Sequence, residues 1–206
     1  MKYLTLIVLF ILVSCGNKED ILLPKSNTTI VKNVIDHSPI YIFFRTKEKD
    51  TLAEVNRKNE IISTNWIFNI DKRLPLRLVI PEVVKLQNKK REEKAHKNEK
   101  ALNYYSYADT IGKNLAFIPF TKVFYKLEKP KSGIVVFFTK SNEVLVNNVI
   151  MKKDELQEYL NKLPIDKLNQ HVFCFHKDLS FGTYIQYKIF IEGLKLDMKS
   201  NEEFIY

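Results

Sequence analysis

The chain is predicted to have an α+β fold, because it combines short strand-like runs with segments of helical periodicity. The segments 40–44 and 134–139 consist of β-branched and aromatic residues, and this composition is typical of buried strands. Four apolar residues at i, i+3, i+4 and i+7 predict a helix with one apolar side, and these are Leu156, Tyr159, Leu160 and Leu163. Pro164 directly after them predicts where that helix ends.

The first half contains two predicted strands and one predicted helix. Residues 40–44 form the first strand and residues 66–70 the second. Apolar residues then recur with helical spacing over residues 74–90, and Pro75 suits a first turn. Pro81 lies within that segment, so we expect either a kink there or a helix that begins near it.

The second half is predicted to run in the order β-β-α-β-α-β. Residues 134–139 and 143–149 form a hairpin around Ser141 and Asn142, and the helix before Pro164 follows. Residues 171–175 form the third strand. Ser180 is a suitable N-cap for a second helix, Gly193 a suitable residue after its end, and residues 203–206 return as a last strand.

This order, with its residues, resembles the periplasmic domain of the ExbD/TolR biopolymer-transport family. The similarity covers residues 134–206 and rests on five short segments, which are residues 146–148, 153–160, 172–178, 180–182 and 192–194. The resemblance implies a sheet with two helices on one face, a homodimer, and contact with a TonB- or TolA-like energy transducer or with peptidoglycan. His176 stands where the family usually has Asp, and the transmembrane helix with its proton-carrying Asp has no counterpart. The resemblance therefore implies no proton conduction.

The two halves also share a weak sequence similarity. Residues 66–76 align with residues 171–181, so that Phe68 matches Phe173, Lys72 matches Lys177 and Leu74 matches Leu179. A duplicated strand-turn-helix unit, joined at residues 126–132, would explain this, and so would chance similarity between two apolar segments.

The N-terminus predicts a lipid anchor. Lys2 precedes an apolar run that is too short to span a bilayer, and the Leu12-Val13-Ser14-Cys15 sequence resembles the lipobox of bacterial lipoproteins. The resemblance implies cleavage before Cys15 and a covalent diacylglycerol and acyl lipid on this residue. By the same resemblance, Gly16 directly after Cys15 implies that the protein is sorted to the outer membrane and faces the periplasm. The triplet at residues 18–20 is instead similar to export tags of lipoproteins displayed on the cell surface. An ordinary secretory signal or an uncleaved anchor is the alternative.

Composition limits the remaining possibilities. After cleavage Cys174 is the only cysteine besides Cys15, so no intramolecular disulfide is expected. The net charge of +9 favours contact with anionic lipid, lipopolysaccharide or cell-wall polymer, and no nucleic-acid partner is expected in the envelope.

Two segments are candidate contact sites. A charged stretch is either an anionic-surface contact or a solvated helix end and loop, and its candidate residues are Lys89, Lys90, Arg91, Lys94 and Lys97. A tyrosine-rich stretch either lines a groove for glycan or peptide or forms a half-buried strand pair with tyrosines on its outer face, and its candidate residues are Tyr104, Tyr105 and Tyr107.

No catalytic, metal or cofactor-binding residues are predicted. His171 and His176 lie five apart in a strand-like segment and make a poor metal pair, and Cys174 is expected to be buried. Asp71 and Asp109 follow apolar segments, where carboxylates usually cap turns or helices.

These observations define the expected organisation. Residues 1–14 are a signal peptide, 15–33 a lipidated Cys and flexible tether, 34–129 an N-terminal α+β part, and 130–206 the ExbD/TolR-like domain. The expected function is binding, as an accessory of biopolymer transport or envelope maintenance, through a sheet edge that accepts an extended segment of an envelope partner. The alternative is an enzyme acting on cell-wall or surface glycan, with Asp71 and Asp109 as paired acids.

Overall fold

The computed structural model describes residues 20–95, 97–166 and 169–206, so the lipobox, Cys15 and residues 16–19 lie outside the described residues. The described chain forms two mixed six-stranded sheets and three helices, which confirms the α+β prediction. The helices are α1 Leu76–Glu92, α2 Lys153–Lys162 and α3 Phe181–Gly193. The strands are β1 Lys25–Ser26, β2 His37–Lys47, β3 Asp50–Asn56, β4 Asn65–Ile70, β5 Asn103–Asp109, β6 Asn114–Pro119, β7 Phe124–Lys126, β8 Ile134–Phe138, β9 Val144–Val146, β10 Val149–Met151, β11 His171–Phe175 and β12 Lys199–Ile205.

The two sheets share a four-strand arrangement. The first sheet contains the order β3-β2-β4-β5, and the second contains β9-β8-β11-β12. In each, the outermost strand is antiparallel to its neighbour and the other two pairings are parallel. The long helices α1 and α3 follow the matching strands β4 and β11. Common descent of the two halves remains a prediction, whereas this shared topology is observed.

The halves differ in what surrounds the shared strands. In the second half β10 and α2 follow the hairpin, but the first half has only residues 57–64 between β3 and β4. Strand β7 pairs with β12 in the second sheet. The predicted boundary at residues 129 and 130 is therefore wrong in this respect, because a strand before that boundary belongs to the second sheet.

Residues 72–77 and 177–182 meet as an antiparallel ribbon, which we call the ribbon. Its centre is a bridge between Pro75 and Ser180, which match under a shift of 105 positions (180 − 75). Four backbone hydrogen bonds flank this bridge in two pairs, and the same shift exchanges the members of each pair. The first pair is Leu76 N–H to Leu179 O (2.9 Å) and Phe181 N–H to Leu74 O (2.7 Å), and the second is Arg77 N–H to Lys177 O (2.8 Å) and Gly182 N–H to Lys72 O (2.9 Å). The halves thus meet about a local pseudo-two-fold axis.

One hydrophobic core extends through both halves. Tyr105 of the first sheet stacks on Phe120 at 3.7 Å and contacts Phe181 of α3 at 5.3 Å between ring centroids. Helix α3 is apolar on most of its surface, as expected of a helix with neighbours on several sides. On the second sheet, Phe173 and Phe175 face this core.

A buried polar network links the halves inside this core. Tyr105 Oη lies 2.7 Å from Tyr125 Oη, which lies 3.1 Å from Tyr184 Oη. Tyr184 donates to Glu203 Oε2 at 2.7 Å, and Lys188 donates to the other oxygen of this carboxylate. Because each phenol has one proton, Tyr125 donates to Tyr184 and Tyr105 donates to Tyr125. Burial raises the pKa of all three phenols well above the usual value, so they remain protonated donors.

Residues 22–31 form an extended segment along the first sheet, which we call the strap. Leu22 accepts a hydrogen bond from Lys72 N–H at 2.7 Å, and β1 pairs in parallel with β5. Val31 exchanges two backbone hydrogen bonds with Phe117, at 3.0 and 2.9 Å. The prediction of a flexible tether over residues 15–33 is therefore wrong for the strap, because the sheet satisfies its backbone groups.

The predicted helices form close to the expected positions. Helix α1 continues through Pro81 without interruption, although Pro81 has no N–H to donate to the carbonyl of Arg77. The Ser180 side chain caps α3 by accepting a hydrogen bond from Thr183 N–H at 3.1 Å.

Candidate functional site

The free edge of β3 is the candidate functional site. Strand β3 pairs only with β2 among the described strands, and a two-residue turn joins Lys47 to Asp50. In such a hairpin the residues that flank the turn bond to each other, and the direction of the backbone groups then alternates. Thr51, Ala53 and Val55 therefore direct their N–H and C=O groups away from β2, and no described backbone group pairs with them.

A groove of about 420 Å³ lies along this edge, between β3 and the first half of α1. Its apolar lining consists of Leu52, Ala53 and Leu78, and Leu52 is 44 % exposed. Arg45, Glu54 and Glu82 complete the wall. An unpaired strand edge beside an apolar groove provides main-chain hydrogen bonds and room for alternate side chains of an added strand.

The charged groups around the groove are partly paired with one another. Arg45 Nε donates to Glu54 Oε2 at 2.7 Å. Glu82 accepts from Arg57 at 3.1 Å and from Lys85 at 2.6 Å. These exposed pairs contribute little to stability, and they give the rim of the groove both signs of charge.

In the second sheet, a further strand occupies the position that is empty beside β3. Strand β9 corresponds to β3, and its outer edge pairs with β10 in an antiparallel register. A two-residue turn with positive φ at Asn147 (48°) and Asn148 (70°) makes that pairing possible. The first half has no strand at the corresponding position among the described residues, so β3 keeps a free edge.

The predicted tyrosine groove is wrong. Tyr105 and Tyr107 are both 0 % exposed, and only Tyr104 is partly accessible. Tyr105 belongs to the buried network, and the Tyr107 hydroxyl donates to Thr28 O and accepts from Ile30 N–H, both at 2.9 Å. The alternative of tyrosines on an outer face is also wrong for these two residues, because β5 is covered on its inner side by the core.

The predicted basic contact surface is only partly available. Lys90 is 7 % exposed, and its ammonium donates to Thr64 O at 2.8 Å and to Asn103 Oδ1 at 3.1 Å. Arg91 donates to Thr121 O and Val123 O, and Lys89 pairs with Glu60. Lys94 and Lys97 are exposed, although Lys97 pairs with Glu99 at 2.9 Å. Lys90 therefore belongs to the interior and cannot contact a surface.

Asp71 and Asp109 hold the strap and its neighbouring turns. Asp71 accepts from Arg73 and from Leu22 N–H, and Asp109 accepts from Thr29, Ile111 and Gly112. Burial opposes ionisation of Asp71, but its hydrogen bonds, chiefly to Arg73, lower its pKa overall. The Thr29 hydroxyl is the main cause of a lowered pKa at Asp109. Both acids act as the turn-capping groups that the sequence suggested as their usual role.

The remaining candidate groups are buried. Cys174 is 0 % exposed, as predicted, and burial raises the pKa of its thiol to about 12. His171 is also buried, and burial lowers its pKa. Among residues 20–95, 97–166 and 169–206, no group of three metal-ligating side chains is found. No helix in that part of the chain is both long and apolar enough to cross a membrane.

In comparisons with known proteins, no family model matches the chain, and no curated protein and no solved structure is significantly similar to it.

The sequence predicts binding through a sheet edge but does not indicate which strand has a free edge. Asp50 to Asn56 alternate in exposure, yet a half-exposed strand looks the same whether or not a further strand pairs with it.

Proposed function

We propose that this chain is a lipid-anchored cell-envelope protein that acts by binding, and that the β3 edge accepts an extended segment of an envelope partner. Cys15 is the proposed attachment site of the diacylglycerol and acyl lipid. The proposed location is the outer membrane, facing the periplasm. The single observation that carries the binding proposal is the free edge of β3 beside its groove, at a position that β10 fills in the second sheet.

Strand addition suits this edge for physical reasons. Three residues of β3 direct unpaired backbone groups outward, so a partner of about six residues could form a ladder of several hydrogen bonds. Ala53 leaves space in the groove wall, and Leu52 and Leu78 offer apolar surface to alternate side chains of the added strand. The strand carries Asp50 and Glu54, and charged side chains are usual on edges that must avoid aggregation.

The ExbD/TolR resemblance supports a role as an accessory of biopolymer transport or envelope maintenance. The second half contains the predicted strands and helices in the expected order, with β10 as an additional strand, and α2 and α3 both contribute to the core on one side of the sheet. A TonB- or TolA-like energy transducer is the proposed class of partner. This proposal does not include proton conduction, since the lipid anchor takes the place of the family's transmembrane helix.

Site-specific photocrosslinking in cells tests the β3 edge. Benzoylphenylalanine replaces Leu52, which lies at the groove, or Val149, which is 54 % exposed on β10. We expect a crosslinked partner from Leu52 and none from Val149. An Ala53→Pro change in the same protein removes one outward N–H group and should abolish the crosslink, because proline cannot donate to an added strand.

Stability measurements provide the control. Ala53→Pro should lower the free energy of unfolding by less than about 1 kcal/mol, since edge strands tolerate proline where the N–H faces outward. Glu54→Pro should cost about 3 kcal/mol, because this N–H points towards Phe43 of β2. Crosslinking at Leu52 that persists in a folded Ala53→Pro protein would exclude strand addition.

Metabolic labelling with palmitate tests the anchor. The wild-type protein should incorporate label, and the Cys15→Ala variant should not. A wild-type protein that takes up no label and stays soluble would refute the lipoprotein assignment.

A further inference from the structure

The strap places the start of the described chain next to the ribbon. Leu22 O accepts from Lys72 N–H at 2.7 Å, and Leu22 N–H donates to Asp71 Oδ2 at 3.3 Å. Lys72 lies at one end of the ribbon, where its carbonyl accepts from Gly182 N–H. A Cβ on residue 182 would lie 3.0 Å from Lys72 Cβ, so glycine allows the two segments to approach closely. The position of Leu22 relative to the ribbon is therefore fixed by backbone contacts.

Chain length limits how far the anchor can lie from the ribbon. Seven residue steps separate Cys15 from Leu22, and a fully extended chain covers at most about 25 Å over that number of residues. The ribbon itself is about 20 Å long, from six residues of extended chain. If Cys15 is lipidated, the membrane surface lies within reach of the ribbon.

Among the accessible side chains of the ribbon, positive charges outnumber negative ones. Its cations are Lys72, Arg73, Arg77 and Lys177, and Lys25 follows on the strap. Arg73 pairs with buried Asp71 and Arg77 with Asp178, yet the two arginine side chains are 46 % and 51 % exposed. Among the described residues neither Lys72 nor Lys177 has an ionic partner. Leu22, which is 45 % exposed, adds apolar surface at the same place.

The C-terminal end of α1 is a less suitable membrane contact. Helix α1 begins in the ribbon at Leu76 and ends at Glu92, about 25 Å away at 1.5 Å per residue. Lys90 at that end is buried, and Lys89 and Lys97 are paired with acids. The ribbon combines proximity to the anchor with unpaired lysines.

We propose that the ribbon, with Lys25 and Leu22, contacts anionic lipid headgroups of the membrane that holds the Cys15 anchor. This inference rests on the proposed lipidation of Cys15. Lysines near an anionic membrane surface are attracted by roughly 1 kcal/mol each, and the attraction is lost beyond a Debye length of about 8 Å at physiological salt. Contact of this kind would fix the orientation of the protein on its membrane.

Lysine acetylation followed by mass spectrometry tests this orientation. The mature full-length protein is reconstituted into vesicles of phosphatidylcholine alone or of phosphatidylcholine with phosphatidylglycerol. On anionic vesicles at low salt, we expect acetylation of Lys25, Lys72 and Lys177 to slow by at least about threefold, and high salt should reverse the effect. Lys94 and Lys100 should react at the same rate on both vesicles.

Matched charge reversals complete the test. Lys72→Glu/Lys177→Glu should remove the protection of Lys25, whereas Lys94→Glu/Lys100→Glu makes the same change in net charge and should keep it. Circular dichroism verifies that both variants fold. Protection of Lys94 and Lys100 instead, or protection by isolated sacculi and not by vesicles, would overturn the inference.

Intact mass measurement separates the two possible failures. A lipidated protein without protection of the ribbon lysines overturns only the orientation. A protein without lipid on Cys15 overturns the anchor and the orientation together.

Discussion

The two halves of this protein share a strand order, but they differ in whether a further strand pairs with the hairpin strand at the edge, β3 in one half and β9 in the other. In the second half β10 covers β9, whereas in the first half β3 remains free beside a groove. Each half also buries one lysine of its long helix in a different environment. Lys90 of α1 lies among uncharged acceptors, and Lys188 of α3 pairs with Glu203. The shared topology thus occurs once with the β9 edge covered by β10 and a buried ion pair, and once with the β3 edge free and an isolated buried cation.

The largest expected effect comes from breaking the buried ion pair of the second half. Lys188→Met leaves the Glu203 carboxylate buried without its cation, which should cost about 3–5 kcal/mol in the free energy of unfolding. The double variant Lys188→Met/Glu203→Gln should recover at least half of this loss, because Gln keeps an acceptor for Tyr184. Urea denaturation at pH 7 measures both values.

The first half supplies the reason to expect this recovery. Val83 of α1 stands at the position that corresponds to Lys188, and it is fully buried. An apolar residue therefore fits this position of the shared fold. Equal destabilisation by the single and double variants would contradict this interpretation.

The next effect concerns pH and the isolated cation of the first half. Burial lowers the pKa of Lys90 from 10.5 to about 8. Between these values the unfolded chain binds more protons than the folded protein, so stability rises with pH over this window. The free energy of unfolding of the wild type, relative to that of Lys90→Met, should therefore increase by up to about 3 kcal/mol between pH 8 and pH 10.5.

Lysine NMR with nitrogen-15 labelling can follow this titration directly. The Lys90 signal should change near pH 8 and should be missing in the Lys90→Met protein. A constant stability difference between wild type and variant from pH 7 to pH 10.5 would show that Thr64 O, Asn103 Oδ1 and the Trp66 ring, 4.8 Å away, keep this lysine charged.

The smallest effect should come from exchanging equivalent turn residues. His176 Nδ1 accepts from Asp178 N–H at 3.1 Å, as Asp71 Oδ1 accepts from Arg73 N–H at 3.0 Å. His176→Asp should therefore change stability by less than about 1 kcal/mol, because a carboxylate can make the same bond. His176→Ala removes the acceptor and should cost about 1 kcal/mol. A larger loss in the Asp than in the Ala variant, measured by thermal unfolding, would show that the two turns are not equivalent.

The elements defined by local signals were predicted well. Ser180 caps the start of α3 as predicted, because capping depends on the residues of the helix end itself. The prediction that Gly193 follows the helix end is wrong by one residue, since Gly193 is the last residue of α3 and Leu194 is its C-cap. The predicted hairpin of the second half is present as β8 and β9, with β10 as an unexpected further strand.

Features that depend on distant parts of the chain were missed. The strap was interpreted as flexible because its polar composition conceals its pairing with β5 and Phe117. Lys90 was placed on a solvated face although it follows Val83 and Leu86 on the apolar side of α1, and this spacing could have revealed it. The free edge of β3 could not be predicted, because it depends on whether any other strand of the chain pairs with β3. The sequence of β3 itself does not contain this information.

The strap also determines how mechanical force would enter the molecule. Tension applied to the chain before Asp20 reaches the folded body at Leu22, whose backbone is bonded to Asp71 and Lys72. These residues adjoin the ribbon, where the two halves meet, and the pairing of β1 with β5 lies behind them. A pull on the N-terminus is therefore borne first by the junction of the two halves.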